Sequence, residues 1–120
     1  MRLTLPYPPS VNRYWRSVDG RVLISREGRQ YRQAVDIVVA MSGRPSITGP
    51  IAARIWLHPP DGRRRDVDNT LKACLDALQH AGVYADDSLI VRLTVSRESQ
   101  VPGGCAVVRL HQVSRCEGNA

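Results

Sequence analysis

The stretch Arg63–Ser88, RRRDVDNTLKACLDALQHAGVYADDS, decides how the rest of the chain is read. Three arginines are followed at once by two carboxylates, Asp66 and Asp68. Val67, Leu71, Cys74, Leu75 and Leu78 then recur at helical spacing. That predicts a helix capped by Asp66 or Asp68 and running to about Ala81, where Gly82 ends it. Asp68, Lys72, Asp76 and Gln79 fall on a different, polar face, with Asp68 and Lys72 one turn apart. Asp86 and Asp87 follow the helix, where the next strand begins. An antiparallel return of the chain would bring one of them back toward Asp66 and Asp68.

Three carboxylates in one place repel one another, and a hard divalent cation relieves that repulsion. Mg²⁺ suits such a site, because it takes a few carboxylates, several waters and a phosphate oxygen. The pattern therefore points to metal-assisted chemistry on a phosphodiester, with Lys72 stabilising charge on the phosphate or orienting water. Each part also has a plainer reading. Asp66 and Asp68 can be helix caps, Lys72 an i,i+4 partner of Asp68 and Asp76, Asp86-Asp87 a turn, and Arg63–Arg65 a solvated charge run. Their coincidence in one short segment favours a site. A calcium loop fits poorly, since Asp66–Thr70 lacks the glycine and distal glutamate of an EF-hand. His58, His80 and His111 are scattered and read as structural or exposed, and Cys74 lies on the apolar stripe as a buried, inert thiol.

Outward from this segment the chain alternates strands and helices. Arg2–Tyr7 reads as a strand ended by prolines. The loop PYPPSVNRYWR then interleaves Tyr14 and Trp15 with Asn12, Arg13 and Arg16, a mixture that can stack on and pair with nucleic acid or can leave Trp15 as a cap on the core. Asp19-Gly20 is a turn signal before a short strand, Arg21–Ile24. Ser25 caps a helix from about Arg26 to Met41, with Tyr31, Ala34, Val35, Val38 and Val39 as its apolar stripe. Ile51–His58 alternates as a central strand, and Leu89–Val95 and Cys105–Val113 are two more, joined by a turn at Pro102-Gly103-Gly104. The order strand, strand, helix, strand, helix, strand, strand predicts an α+β domain, a mixed sheet with two main helices on one face. One domain is expected over residues 1–120, with about 114–120 as a tail.

The net charge of +6 and the pI near 9.9 allow an anionic partner. Of the 17 basic residues, Lys72 alone is lysine, inside the acidic cluster. Three cysteines without CxxC spacing imply a reduced protein with no zinc site. No stretch has the length of a membrane span or the form of a signal peptide, so a cytoplasmic protein is expected.

The segments RRRDVDNTLKACLDAL and AGVYADD, with LPYPPSVNRYWR near the start, resemble the RusA family of Holliday junction resolvases. The likeness runs from about Leu3 to Val113. It implies a RusA-like fold and a homodimeric, Mg²⁺-dependent endodeoxyribonuclease that cuts four-way DNA junctions, with Mn²⁺ able to substitute. Carried over by position, the metal-binding and catalytic carboxylates are Asp66, Asp68 and Asp87, and the catalytic lysine is Lys72. Arg63, Arg64, Arg65 and Asn69, together with Asn12, Arg13, Tyr14 and Arg16, are the expected DNA contacts. Such genes are common in prophages. Paired nicks call for a twofold dimer, formed through an exposed strand edge or the valine-rich first helix. The competing readings are a basic DNA-binding protein without catalysis and a nuclease of broader flap or fork specificity.

Overall fold

The computed structural model describes residues 1–113; the stretch 114–120, expected to be a tail, lies outside them. β1 (Arg2–Leu5) alternates and buries Leu3 and Leu5. It stops at Leu5 rather than Tyr7, because Pro6 has no N–H to give a ladder. The Pro6 carbonyl instead accepts a hydrogen bond from the Tyr31 hydroxyl at 2.8 Å. The loop that follows is more ordered than its sequence suggests. One helical turn, α1 (Val11–Tyr14), runs straight into β2 (Trp15–Val18), which pairs antiparallel with β3 (Arg21–Ile24). Asp19 and Gly20 close this hairpin with φ of 51° and 76°, the left-handed pair that a two-residue turn needs.

α2 (Arg26–Met41) begins as expected at Ser25, whose Oγ accepts from Gly28 N at 2.9 Å. Ser25 N also donates to the Tyr14 carbonyl at 2.9 Å, and Ser25 Oγ donates to the carbonyls of Arg13 and Tyr14. A Cβ on Gly28 would collide with the Tyr14 carbonyl oxygen, so this approach requires glycine. Tyr31, Val35 and Val39 turn inward from α2.

β4 (Ile51–His58) buries Ile51, Ala53, Ile55 and Leu57. The expected helix after Arg65 comes in two parts, a tight 3₁₀ turn at Val67–Thr70 and then α3 (Leu71–His80). Ala73, Cys74, Ala77 and Leu78 are its buried residues, with Val67, Leu71 and Leu75 packed at the rim. Burial pushes the Cys74 thiol up to about 12, so it is inert as expected. β5 (Ile90–Arg97) and β6 (Cys105–Gln112) complete the set.

The four-stranded sheet has the order β1-β6-β4-β5 and places β4 centrally, as expected. β4 and β5 are parallel, while β4–β6 and β1–β6 are antiparallel. β5 and β6 follow one another in the chain but are not neighbours, because β4 lies between them. Sheet residues such as Leu5, Ile55 and Val108 share one core with Tyr31, Val35, Cys74 and Leu78 of the helices. The helices thus cover one face, and the mixed α+β architecture agrees with the sequence reading. Among the described residues no helix is long and apolar enough to cross a membrane.

The β4–α3–β5 unit is a parallel crossover, and this fixes where the acidic residues go. α3 begins beyond the end of β4, runs back, and delivers the chain to the start of β5 beside Ile51. The return that was to bring Asp86 or Asp87 toward Asp66 and Asp68 leaves them at the other end of the helix.

Candidate active site and DNA interface

Asp61 organises the loop after β4. Its Oδ1 accepts from Arg63 N at 2.9 Å and from Arg65 Nη1 at 2.6 Å, and its Oδ2 accepts from Arg65 Nη2 at 3.2 Å. The Arg65 fork, and then the Arg63 amide, hold the Asp61 carboxyl down to about 2. The Arg65 guanidinium also lies 5.7 Å from the Tyr7 ring centre. Its carbonyl accepts from Arg97 Nη1 at 2.7 Å, which ties the loop to the end of β5. Arg65 therefore shapes the loop rather than standing free for a phosphate. Arg63 and Arg64 remain exposed.

This loop and the N-terminal one form the walls of an open cleft of about 730 Å³. Arg13, Arg63, Arg64, Arg65 and Asn69 line it, so five of the expected DNA contacts are brought together. Asn12, on α1, and Arg16, on β2, are exposed nearby but do not line the cleft. Tyr14 is a correction: it is 0% exposed, packed in the core, and offers no ring to a base. Trp15 packs against the core as its rim, edge-on to Tyr14. Thr70, which the sequence reading passed over, also lines the cleft; it is 3% exposed and its Oγ1 has no partner among the described residues.

Asp66 occupies the N-cap position of the 3₁₀ turn, with extended backbone, yet its side chain makes no capping bond. Asp66, Asp68 and Lys72 are exposed, and none forms an ion pair among the described residues. Neither plainer reading, cap or i,i+4 pair, accounts for them. Asp76, two turns on, is engaged instead through one oxygen. Its Oδ2 accepts from Arg32 Nη2 at 2.8 Å, from Arg32 Nε at 3.1 Å and from the Tyr14 hydroxyl. Burial, and then the bond to Asp76, raise the Tyr14 hydroxyl well above its usual range.

Asp86 and Asp87 sit at the far end of α3. Asp86 accepts from Ser88 N at 2.8 Å, which lowers its carboxyl, so it is a turn residue. Asp87 donates its amide to Gln79 Oε1 at 2.9 Å, and its half-buried carboxylate forms no ion pair among the described residues. The ten residues of α3 span about 15 Å between the Asp68 and Asp87 ends. The eight residues of β5 put about 26 Å between Asp87 and the Arg65–Arg97 contact. Among the described residues no three His, Cys, Asp or Glu side chains come close enough to hold a metal ion. Asp66 and Asp68 alone still suit a hard divalent cation, which takes one or two carboxylates plus water and phosphate oxygens. Among the described residues no third carboxylate of the same chain reaches them. His58 Nδ1 lies 2.9 Å from the Ser99 carbonyl, and His80 and His111 are exposed, as expected.

Residues 6–109 match the family described as Endodeoxyribonuclease RusA. A protein of Enterobacteria phage 82 named "Crossover junction endodeoxyribonuclease rusA" is 44% identical over 103 residues, 85% of this chain and 86% of the relative. Proteins of the same name from Shigella sonnei and Escherichia coli K12 are 43% and 42% identical over 103 residues, with the same coverage of 85% and 86%.

Proposed function

This chain belongs to the RusA endodeoxyribonuclease family, and on that premise we propose that it resolves four-way DNA junctions by paired, symmetric nicks that require a divalent cation. The observation that carries the reading is local. Asp66, Asp68 and Lys72 stand without ion-pair partners among the described residues, on the turn and the start of α3 that lead out of an arginine-lined cleft. Mg²⁺, with Mn²⁺ able to substitute, would be held by these carboxylates and would supply an activated water and neutralise phosphate charge. Arg13, Arg63 and Arg64 dock the DNA backbone in the cleft, and Asn69 supports them. Arg65 holds the loop in shape. Lys72, one turn on from Asp68, places its ammonium against the scissile phosphate.

Asp87 belongs to the site through dimerisation. The valines of α2 are buried in the core or packed against it, so that helix has no valine face to offer a partner. β5 is different: it is an eight-residue edge strand, paired among the described residues only with β4, and leaves Val91 59% and Leu93 41% exposed. Such an edge invites a second strand. Two copies pairing antiparallel along β5 would set the start of each β5 against the end of the other. Asp87 of one protomer then meets Asp66 and Asp68 of the other, and the twofold axis generates two such sites.

A panel of four-way junction, flap and linear duplex, each with and without Mg²⁺, tests the activity. Metal-dependent cleavage of the junction is expected; no cleavage of any substrate would overturn the reading. Mixing subunits tests the shared site. Asp68→Asn and Asp87→Asn chains, each inactive alone, should regain about a quarter of the parental nicking when refolded together, because half the dimers carry one intact site of two. If each chain held its own complete site, the mixture would stay dead.

A further inference from the structure

We propose that the sheet face not covered by helices is a second DNA-binding surface, on which Arg2, Arg54, Arg92 and Arg109 hold the backbone of a junction arm. The claim rests on the junction-resolving reading and extends it, since none of these four residues lines the cleft beside α3.

The register of the sheet places the arginines. Leu3 is paired with Val108, and both are buried, so their neighbours Arg2 and Arg109, also paired, turn to the open face. Arg109 is in turn the cross-strand partner of Arg54, which lies between buried Ala53 and Ile55. Three arginines therefore occupy one row across β1, β6 and β4, a row about 10 Å long at the usual strand spacing. Arg92 joins them from β5, beside Ala52 in the adjacent row.

Such a row is unfavourable for the isolated protein. Like charges directly opposite one another in an antiparallel pair are destabilising. Nothing on the sheet offsets them, because the four strands contain no acidic residue. None of the four arginines forms a salt bridge among the described residues. Arg54 is also held in place, its guanidinium 4.9 Å from the Trp56 ring centre. Among the described residues its buried Nε has no hydrogen-bond partner, and neither has the buried Oγ of Ser96, the residue paired with Trp56. A flat, uncompensated array of guanidinium groups matches a line of phosphates better than a single small anion.

The test uses the full chain with the three exposed arginines replaced, Arg2→Gln, Arg92→Gln and Arg109→Gln together. Arg54 is left alone because its packing supports the sheet. The triple variant should melt at or above the parental temperature, because it relieves the repulsion along the row, and should nick the junction at the parental rate when DNA is saturating. Its junction affinity should fall at least about tenfold at physiological salt, and its log K against log salt slope should flatten by about 2 to 3. Arg109→Lys alone should keep the parental slope, because it keeps the charge. A triple variant with parental affinity and slope would overturn the proposal. So would one that keeps junction binding but loses binding to vesicles of anionic phospholipid, which would assign the face to a membrane. Nicking by the parent at saturating DNA separates either failure from a failure of the nuclease reading.

Discussion

The first turn leading into α3 and the middle of that helix carry aspartates on the same polar side, yet the two places do opposite work. Asp76, in the middle, is bound by Arg32 and the buried Tyr14 hydroxyl and joins three elements of the fold. Asp66 and Asp68, at the start, pair with no cation among the described residues, and Asp66 makes no capping bond. A charged group that stabilises the fold is one whose hydrogen-bonding capacity is met within the fold. A group left unmet at the mouth of a cationic cleft is available to something outside.

That contrast breaks most sharply under substitution. Asp68→Asn should lower junction cleavage at least about a hundredfold while binding persists and the melting temperature holds or rises. A marked loss of thermal stability would make Asp68 structural and dissolve the contrast. Asp76→Ala should do the reverse. Urea unfolding should show a loss of about 1–2 kcal/mol, a modest figure because both side chains of the pair keep 22% exposure, with cleavage per folded molecule little changed. The smallest effect concerns Asp61, just ahead of the helix. Its folded value of about 2 lies below the ordinary carboxylate value near 3.9, so its contribution is present above that value and fades as pH falls toward 2. Carboxyl NMR titration should find the low value, and Arg65→Gln should return Asp61 toward the ordinary range.

Most of the scaffold was legible because it rests on local signals. Ser25 caps α2, Asp19-Gly20 closes a hairpin and the apolar alternation of β4 marks the central strand. β2 was missed because Arg16 and Ser17 interrupt any apolar alternation and the hairpin stays largely exposed. The Tyr14–Arg32–Asp76 network has no sequence signature, since its members stand 18 to 62 positions apart. Tyr14 was consequently read as a surface aromatic. The position of Asp87 is a different case, because a signal existed. Where a strand, a helix and a second strand form a parallel crossover, as β4, α3 and β5 do, the second strand starts at the helix's far end. Spacing along the chain suggested proximity to Asp68, and topology overrides spacing.

The bonding of Ser25 settles a question of mechanics. One residue closes the first turn of α2 and receives the end of the α1 turn, with Gly28 giving the Tyr14 carbonyl room to approach. Helix and hairpin are riveted at a common point, so a swing of either has to break the hydrogen bonds at Ser25. Asn12, Arg13 and Arg16 accordingly ride on a stiff bracket, so a nucleic acid seated against them meets a preset contour and must itself supply the bending.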